Sequence, residues 1–269
     1  MKQIVALFAL LLLLPVSGLA EQELTDEQIL KRIFDRVDKN EKRIDQFGFY
    51  QETLKRELKE DGSVKQEEKK IFRTTWIGDQ RYGELIEING KSLTAAEKKE
   101  EQKRKQKFLK ETKGKRQEIK KDVEIAWKGL YDRFDFVREP AEQGALYVYS
   151  FQPKEKKLSE RNRMEKVLNH VDGSLRADEN FNLLWVQAIL KESVRFGLGV
   201  LAKLDKLELE YELQQHEDVW LPASIRFKFD ARVALVHRER QESVNRFYDI
   251  FPRPGSVPPT PAPTGSSEQ

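Results

Sequence analysis

KLELEYELQ, residues 206–214, and LPASIRFKFD, residues 221–230, are the two stretches that decide the fold. In both, apolar side chains occupy the odd positions, while the even positions are mostly polar or charged. Alternation with a period of two is typical of a β-strand that has one apolar face and one solvated face. The intervening residues 215–220 are few and polar enough to form a hairpin loop. We therefore predict a β-hairpin from Leu204 to Asp230.

Charge indicates a register for this hairpin. If Glu210 lies opposite Arg226, then Glu208 lies opposite Lys228, and both pairs join opposite charges. Each cross-strand pair contributes about 0.2–1 kcal/mol, so charge favours this register only modestly over a slip by one pair. The same register predicts these further pairs: Lys206 with Asp230, Leu207 with Phe229, Leu209 with Phe227, and Tyr211 with Ile225.

The apolar face of the hairpin is the candidate binding wall. Such a face must be covered by a helix, by another sheet or by a ligand. Aromatic side chains on such a face more often belong to an ordinary hydrophobic core than to a ligand-binding site. The wall can therefore be interpreted either as core or as a binding surface. Its residues are Leu207, Leu209, Tyr211, Leu213, Ile225, Phe227 and Phe229.

Composition excludes several function classes. The 269 residues are 38% hydrophobic and 35% charged, which suits one large domain or two small ones. A net charge of +3, from 49 basic and 46 acidic residues, gives no overall case for nucleic-acid binding. The absence of cysteine excludes disulfides, thiol catalysis and zinc–thiolate sites.

The N-terminus has the pattern of a secretory signal peptide. Lys2 precedes an apolar run from Ile4 to Leu14, which is short for a bilayer span. Small residues at Gly18 and Ala20 predict cleavage after Ala20. We expect residues 1–20 to be removed and the remaining chain to be periplasmic or secreted, with a membrane anchor as the alternative.

The segment after this leader predicts a helix and three strands. Thr25 and Gln28 fit a capping box, and apolar residues then recur at helical spacing to about Arg43. We expect this helix to cover the apolar face of the hairpin. Alternation and turn residues next predict a three-stranded antiparallel meander over residues 47–59, 65–77 and 82–88.

Residues 92–134 predict a helical insertion. Between Lys91 and Lys121 there are thirteen basic residues and five glutamates, and few residues before Gln106 are apolar. The simplest interpretation is a solvated helical arm. The alternative is contact with an anionic membrane surface. The basic residues that would make this contact are Lys103, Arg104, Lys105, Lys107 and Lys110.

The rest of the chain returns to strand patterns and ends in a tail. We predict strands at 134–137, 145–152, 181–196 and 233–248, and a turn at Asp172-Gly173. Six of the ten prolines lie from Pro252 onward, so residues 252–269 predict a disordered, extended tail.

Several of these features resemble the LolA/LolB-like superfamily of periplasmic lipoprotein carriers, especially its outer-membrane lipoprotein-sorting relatives. They are the leader, the helix before a meander, and the Asn89-Gly90-Lys91 turn into a Glu/Lys-rich helix. The C-terminal segments that add to the resemblance are Val194–Gly199, Asp218–Pro222, Ala231-Arg232 and Arg246–Asp249.

The resemblance implies an α+β fold for residues 21–251. Its sheet would be antiparallel and strongly curved, forming an incomplete barrel with helices over the concave face. Acyl chains of lipids or lipoproteins would enter that concavity. The long charged insertion is foreign to the compact carriers, and no cargo-binding residue of the family can be matched here.

Catalytic motifs are not evident. The three histidines, His170, His216 and His237, lack neighbours at metal-ligand spacing. No nucleophile elbow, phosphate loop or dinucleotide fingerprint occurs. We therefore expect a protein that is not an enzyme, without cofactor or metal, and monomeric.

Two functions remain from the sequence. The first is an exported protein that binds lipid or lipoprotein acyl chains on the apolar wall. The second is an envelope interaction or sensor module whose contacts are made by the basic arm or the Pro-rich tail.

Overall fold

The computed structural model describes residues 24–110, 131–142, 144–155, 163–196, 202–233 and 237–255. Helix α1 is Asp26–Ile44, residues 95–110 form helix α2, and α3 is Arg163–Leu168. The strands are β1 Phe47–Leu58, β2 Val64–Ile77, β3 Gln80–Ile88, β4 Lys91–Ser92, β5 Phe134–Glu139, β6 Tyr147–Pro153, β7 Val171–Ala177, β8 Leu183–Leu190, β9 Val194–Phe196, β10 Ala202–His216, β11 Val219–Val233 and β12 His237–Pro252.

All twelve strands belong to one antiparallel sheet in the order β4-β3-β2-β1-β12-β11-β10-β8-β7-β6-β5, with β9 paired to β10. The sheet is neither closed nor strongly curled, and the described chain is mostly β. The expected antiparallel sheet is confirmed, whereas the strongly curved incomplete barrel is wrong, and with few helices the described chain is mostly β where an α+β class was expected. Closing a barrel requires the two end strands to pair. Here β4 has only two residues, and β4 and β5 stand at opposite ends of the order.

The hairpin of β10 and β11 has the predicted register. Glu210 lies opposite Arg226 and Glu208 opposite Lys228, and all four of the other predicted pairs occur. The Arg226 Nη1 atom lies 3.1 Å from Glu210 Oε2. The hairpin lies in the middle of the sheet, because β8 pairs with β10 and β12 pairs with β11.

Helix α1 begins as predicted, with a capping box between Thr25 and Gln28. Its buried stripe of Ile29, Leu30 and Ile33 packs on β6, β7 and β8, where Tyr149 is fully buried. The Tyr149 hydroxyl donates a hydrogen bond of 2.8 Å to Asp26 Oδ1 and so fixes the first turn. The first half of the helix thus covers strands next to the hairpin, and its second half lies against β11 of the hairpin itself.

The meander β1–β2–β3 is confirmed, and Asn89 and Gly90, both at positive φ, then turn the chain from β3 into β4. The predicted strands at 134–137 and 145–152 correspond to β5 and β6. The predicted strand at 181–196 is divided into β8 and β9, and that at 233–248 corresponds to β12. The leader 1–20, most of the tail 252–269 and residues 111–130 of the insertion lie outside the described residues.

The predicted turn at Asp172-Gly173 is wrong, since both residues lie inside β7. A Cβ atom on Gly173 would lie 2.0 Å from the Gln187 carbonyl oxygen and 2.3 Å from the Phe151 ring. Glycine is required here for close approach of neighbouring groups and not for a turn.

The solvated face carries charges in rows that cross the strands. Glu208, Lys228, Glu242, Arg56 and Glu67 face one another in succession across β10, β11, β12, β1 and β2, and their signs alternate. Arg56 lies 2.7 Å from Glu67 and 3.5 Å from Glu242. Opposite charges in facing positions support this register at every strand boundary they cross.

Asp230 is the most enclosed carboxylate of this face. It lies opposite Lys206 in the register, but its ion pairs are with β12. Arg238 donates to both carboxylate oxygens at 2.8 and 2.7 Å, and Arg240 donates at 3.0 Å. The hydrogen bond from Arg238 is the main reason that the pKa of Asp230 lies below its usual value.

We expect Gly173→Ala to lower the free energy of unfolding by about 2–3 kcal/mol, because overpacking at a backbone contact strains the sheet. Gly83→Ala is the matched control, since its Cβ would find its nearest atom at 3.8 Å. Urea unfolding measures both. Equal loss in the two variants would contradict the role given to Gly173.

We expect Asp230→Asn to destabilise the protein at neutral pH by about 2 kcal/mol, because two guanidinium groups lose the negative charge and one acceptor oxygen of their partner. A carboxyl whose pKa is lowered by folding stabilises above its unfolded pKa, about 3.9, and that stabilisation is lost as the pH falls through the folded pKa. The difference in the free energy of unfolding between the variant and the wild type should therefore shrink below about pH 4.

Urea unfolding as a function of pH tests this expectation. Asp249→Asn is the control, because Asp249 is exposed and forms no ion pair with a described residue. A gap that stays constant down to pH 2–3 would show that Asp230 acts by shape and not by charge.

Candidate functional site

The seven wall residues lie on one face of β10 and β11, and each is half-buried. They do not share one cavity. Leu207 packs beside α3 against the cluster of Val167, Val171, Leu190 and Val194, while Leu213 packs against the α1 core. The rings of Phe227 and Phe229 contact each other with centroids 5.5 Å apart.

A small cavity lies where the second half of α1 meets the hairpin. Its volume is about 70 Å³. This is well below the roughly 300–1,000 Å³ typical of small-molecule pockets, so it does not accommodate an acyl chain. Its lining includes two predicted wall residues, and the full set is Arg36, Val37, Asn40, Glu41, Ile44, Asn182, Leu183, Tyr211, Leu213 and Trp220.

Polar contacts hold the end of α1 to the hairpin loop. The Asn40 side chain accepts a hydrogen bond of 2.8 Å from Trp220 N and donates one to Trp220 O, so it substitutes for a strand partner. Arg43 Nη2 lies 2.6 Å from Asp218 Oδ1, and the Arg43 hydrogen bond lowers the pKa of Asp218. Sequence reasoning missed Asn40, because a polar residue on an amphipathic helix gives no sign of a partner 180 residues away.

Tyr211 is the polar member of the wall. Burial, with a smaller contribution from the charge of Glu41, raises its pKa to about 12, and the charge of Arg81 opposes the shift. The Arg81 guanidinium lies 5.1 Å from the centre of the Phe49 ring and donates a 3.3 Å hydrogen bond to Ile44 O. A cation at the C-terminal end of a helix is favoured by the helix dipole. Arg81 therefore stabilises the end of α1 beside the wall.

The apolar wall stops at β12. Ile225 faces Asn245, and Asn245 faces Thr53 of β1 on the same side of the sheet. The Asn245 Oδ1 atom accepts hydrogen bonds from Thr53 Oγ1 at 2.7 Å and from Gln51 Nε2 at 3.0 Å. In the same way Phe227 faces Ser243. The wall is thus bordered by a strip of neutral polar side chains.

The described part of the basic insertion is docked and is not a freely solvated arm. Glu101 of α2 is buried and accepts hydrogen bonds of 2.7 Å from both Tyr82 of β3 and Arg104. Burial alone would raise the pKa of Glu101, but these bonds outweigh it and lower the pKa. The Phe108 ring lies 5.0 Å from the Tyr82 ring.

Three of the basic residues expected to face a membrane make ion pairs inside the protein. Arg104 pairs with Glu101 and lies over the Tyr82 ring at 4.7 Å. Lys103 pairs with Glu100 at 2.7 Å, and Lys105 lies 3.6 Å from Glu84. Lys107 and Lys110 belong to the same helix. The spacing of Glu101 and Arg104 predicts their pair, but nothing in the sequence indicates that β3 receives it.

The histidines are far apart in the fold. His170 lies 3.5 Å from Glu192, His216 packs against the Phe47 ring, and His237 begins β12. Across the described ranges no three His, Cys, Asp or Glu side chains are grouped to hold a metal ion. Within the same ranges, every helix is too short or too polar to span a membrane.

Comparison of the chain with models of known protein families and with curated proteins finds no match.

Proposed function

We propose that the protein is an exported, non-enzymatic binding protein that holds acyl chains of lipids or lipoproteins on the apolar face of its sheet. The supporting observation is the wall itself. Seven large apolar side chains on two adjacent central strands are only half-buried. A contiguous set of partly exposed apolar side chains on a sheet is a candidate binding surface.

The open part of the wall is the proposed contact surface for the chain. Tyr211 and Leu213 lie at the α1 cavity, and Leu207 belongs to the cluster beside α3. Leu209, Ile225, Phe227 and Phe229 lie between these two packed regions. An acyl chain along this part would follow the apolar rows and meet the polar strip at β12.

The polar strip fits the remainder of such a ligand. Gln51, Thr53 and Asn245 present amide and hydroxyl groups beside Ile225. Ester and amide groups at the head of a lipid or lipoprotein form hydrogen bonds with neutral groups of this kind. An apolar surface bordered by neutral polar side chains thus matches an amphipathic ligand better than a purely apolar one.

Energetics allow useful affinity on this surface. Burial contributes about 0.8 kcal/mol for each ligand CH₂, so about ten methylenes would supply roughly 8 kcal/mol. This is the size of a micromolar dissociation constant before the cost of ordering the ligand. The signal-peptide pattern and the resemblance to lipoprotein carriers support export and the same ligand class.

We expect Phe227→Ala combined with Phe229→Ala to weaken binding of a fluorescent fatty acid about tenfold or more, because each loses roughly 1 kcal/mol of apolar contact. Leu54→Ala combined with Val244→Ala is the control. These half-buried residues face each other on the opposite side of the sheet.

Fluorescence titration measures both variants, and circular dichroism checks their folding. Mass spectrometry of organic extracts from the purified wild type should also show co-purified lipid. Absence of fatty-acid binding by the wild type, or equal loss in both double variants, would rule out the wall as the site.

A further inference from the structure

One end of the solvated face has a row of charges unlike the others. Arg195 of β9 faces Lys203 of β10, Lys203 faces Arg232 of β11, and Arg232 faces Arg238 of β12. Four cations thus stand side by side on four adjacent strands, next to the strand ends. At a strand separation of about 4.8 Å, the row is roughly 14 Å long.

Such a row is unfavourable for folding by itself. Like charges that face each other directly across strands repel, whereas the row through Glu208 and Lys228 alternates in sign. A run of four like charges therefore needs compensation, either from nearby carboxylates or from an anionic partner.

Internal compensation is incomplete. Asp205, in a bulge of β10, pairs with Lys203 and Arg232, and Asp230 pairs with Arg238 and Arg240. Glu60 lies 3.5 Å from Arg240. Arg195 is exposed and forms no ion pair with any residue that the structure describes.

The charge excess is on the solvated side of the sheet. Glu239 lies between Arg238 and Arg240 but faces Ala231, on the apolar side. Counting the row with its neighbours Lys206 and Arg240, six cations face the three carboxylates of Asp205, Asp230 and Glu60. Arg232 keeps 48% of its side chain exposed, so the surface stays accessible.

An exposed apolar residue lies at the same end. Val233 follows Arg232 at the end of β11 and is 44% exposed. Alternation places Val233 on the apolar side with Ala231, so it does not share the surface of the row. The cations alone would attract the anionic headgroups of a bilayer.

We propose that the cationic row of Arg195, Lys203, Arg232 and Arg238 docks the protein on anionic lipid headgroups of a membrane surface. The choice of a membrane over other polyanions rests on the proposed function, since a protein that carries acyl chains must receive and deliver them at a bilayer. This contact is proposed in addition to helix α2, where Lys103, Arg104 and Lys105 each have a carboxylate partner.

Vesicle sedimentation of the full chain tests this docking. The vesicles are phosphatidylcholine alone or mixed with phosphatidylglycerol, and the readout is the ratio of the affinities for the two kinds of vesicle. Apolar insertion of the leader would contribute equally to both affinities and so cancels in the ratio. Two free cations near the anionic surface would raise this ratio by about 30-fold. Since Asp205 partly neutralises Arg232, we expect Arg195→Gln with Arg232→Gln to reduce the ratio about tenfold.

Arg226→Gln with Arg246→Gln is the matched control, because it removes two exposed cations from the same face and changes net charge equally. This control variant should keep the affinity ratio within about twofold of the wild-type ratio. A twofold change is smaller than the change that loss of one cation at the membrane surface would cause. Thermal unfolding confirms that both double variants fold.

Three outcomes would overturn the docking proposal. They are no preference for anionic vesicles, equal losses in the two double variants, or equally tight binding of a DNA duplex. The fatty-acid titration of the same variants separates the two proposals, since the row lies on the face opposite the wall. Retained fatty-acid binding with no vesicle preference would reject the docking row alone.

Discussion

The pairing of β10 with β11 is the constraint on which the rest of the structure depends. It places the alternating apolar side chains and the alternating charged side chains of the hairpin on opposite faces of the same two strands. A slip by one residue would exchange these faces, so the register is specified by solvation as well as by hydrogen bonds. The strands that pair with this hairpin then have one apolar side and one solvated side in the same orientation.

Each face of the sheet is used differently along its width. On the apolar side, α1 and α3 cover the strands from β6 to β10, the hairpin wall is half-covered, and polar side chains take over at β12. On the solvated side, alternating charges at the middle give way to like charges at one end. The proposed acyl-chain site and the proposed membrane contact are thus on opposite faces, joined by the same strands.

Local patterns in the sequence were sufficient for the hairpin register, the capping box at Thr25 and the meander, because each depends on residues close in sequence. Features set by distant contacts were not accessible. In the sequence Gly173 resembles a turn residue, and only the fold shows that Gln187 and Phe151 approach it closely. In the sequence Glu101 resembles a solvated helix residue, and only the fold shows that Tyr82 of β3 donates a hydrogen bond to it. The lack of strong curvature has the same origin, since no local pattern reports how a whole sheet bends.

Strand β12 has a consequence for how the chain folds. It pairs with β11 on one side and with β1 on the other, and residues facing each other across β1 and β12 are nearly 200 positions apart. Until this last strand is available, residues 47–92 and residues 134–233 can form only two separate sheets, each with an unpaired edge. Non-local pairing of this kind slows folding and leaves edges open to aggregation. The sheet can therefore be completed only after β12 has been synthesised.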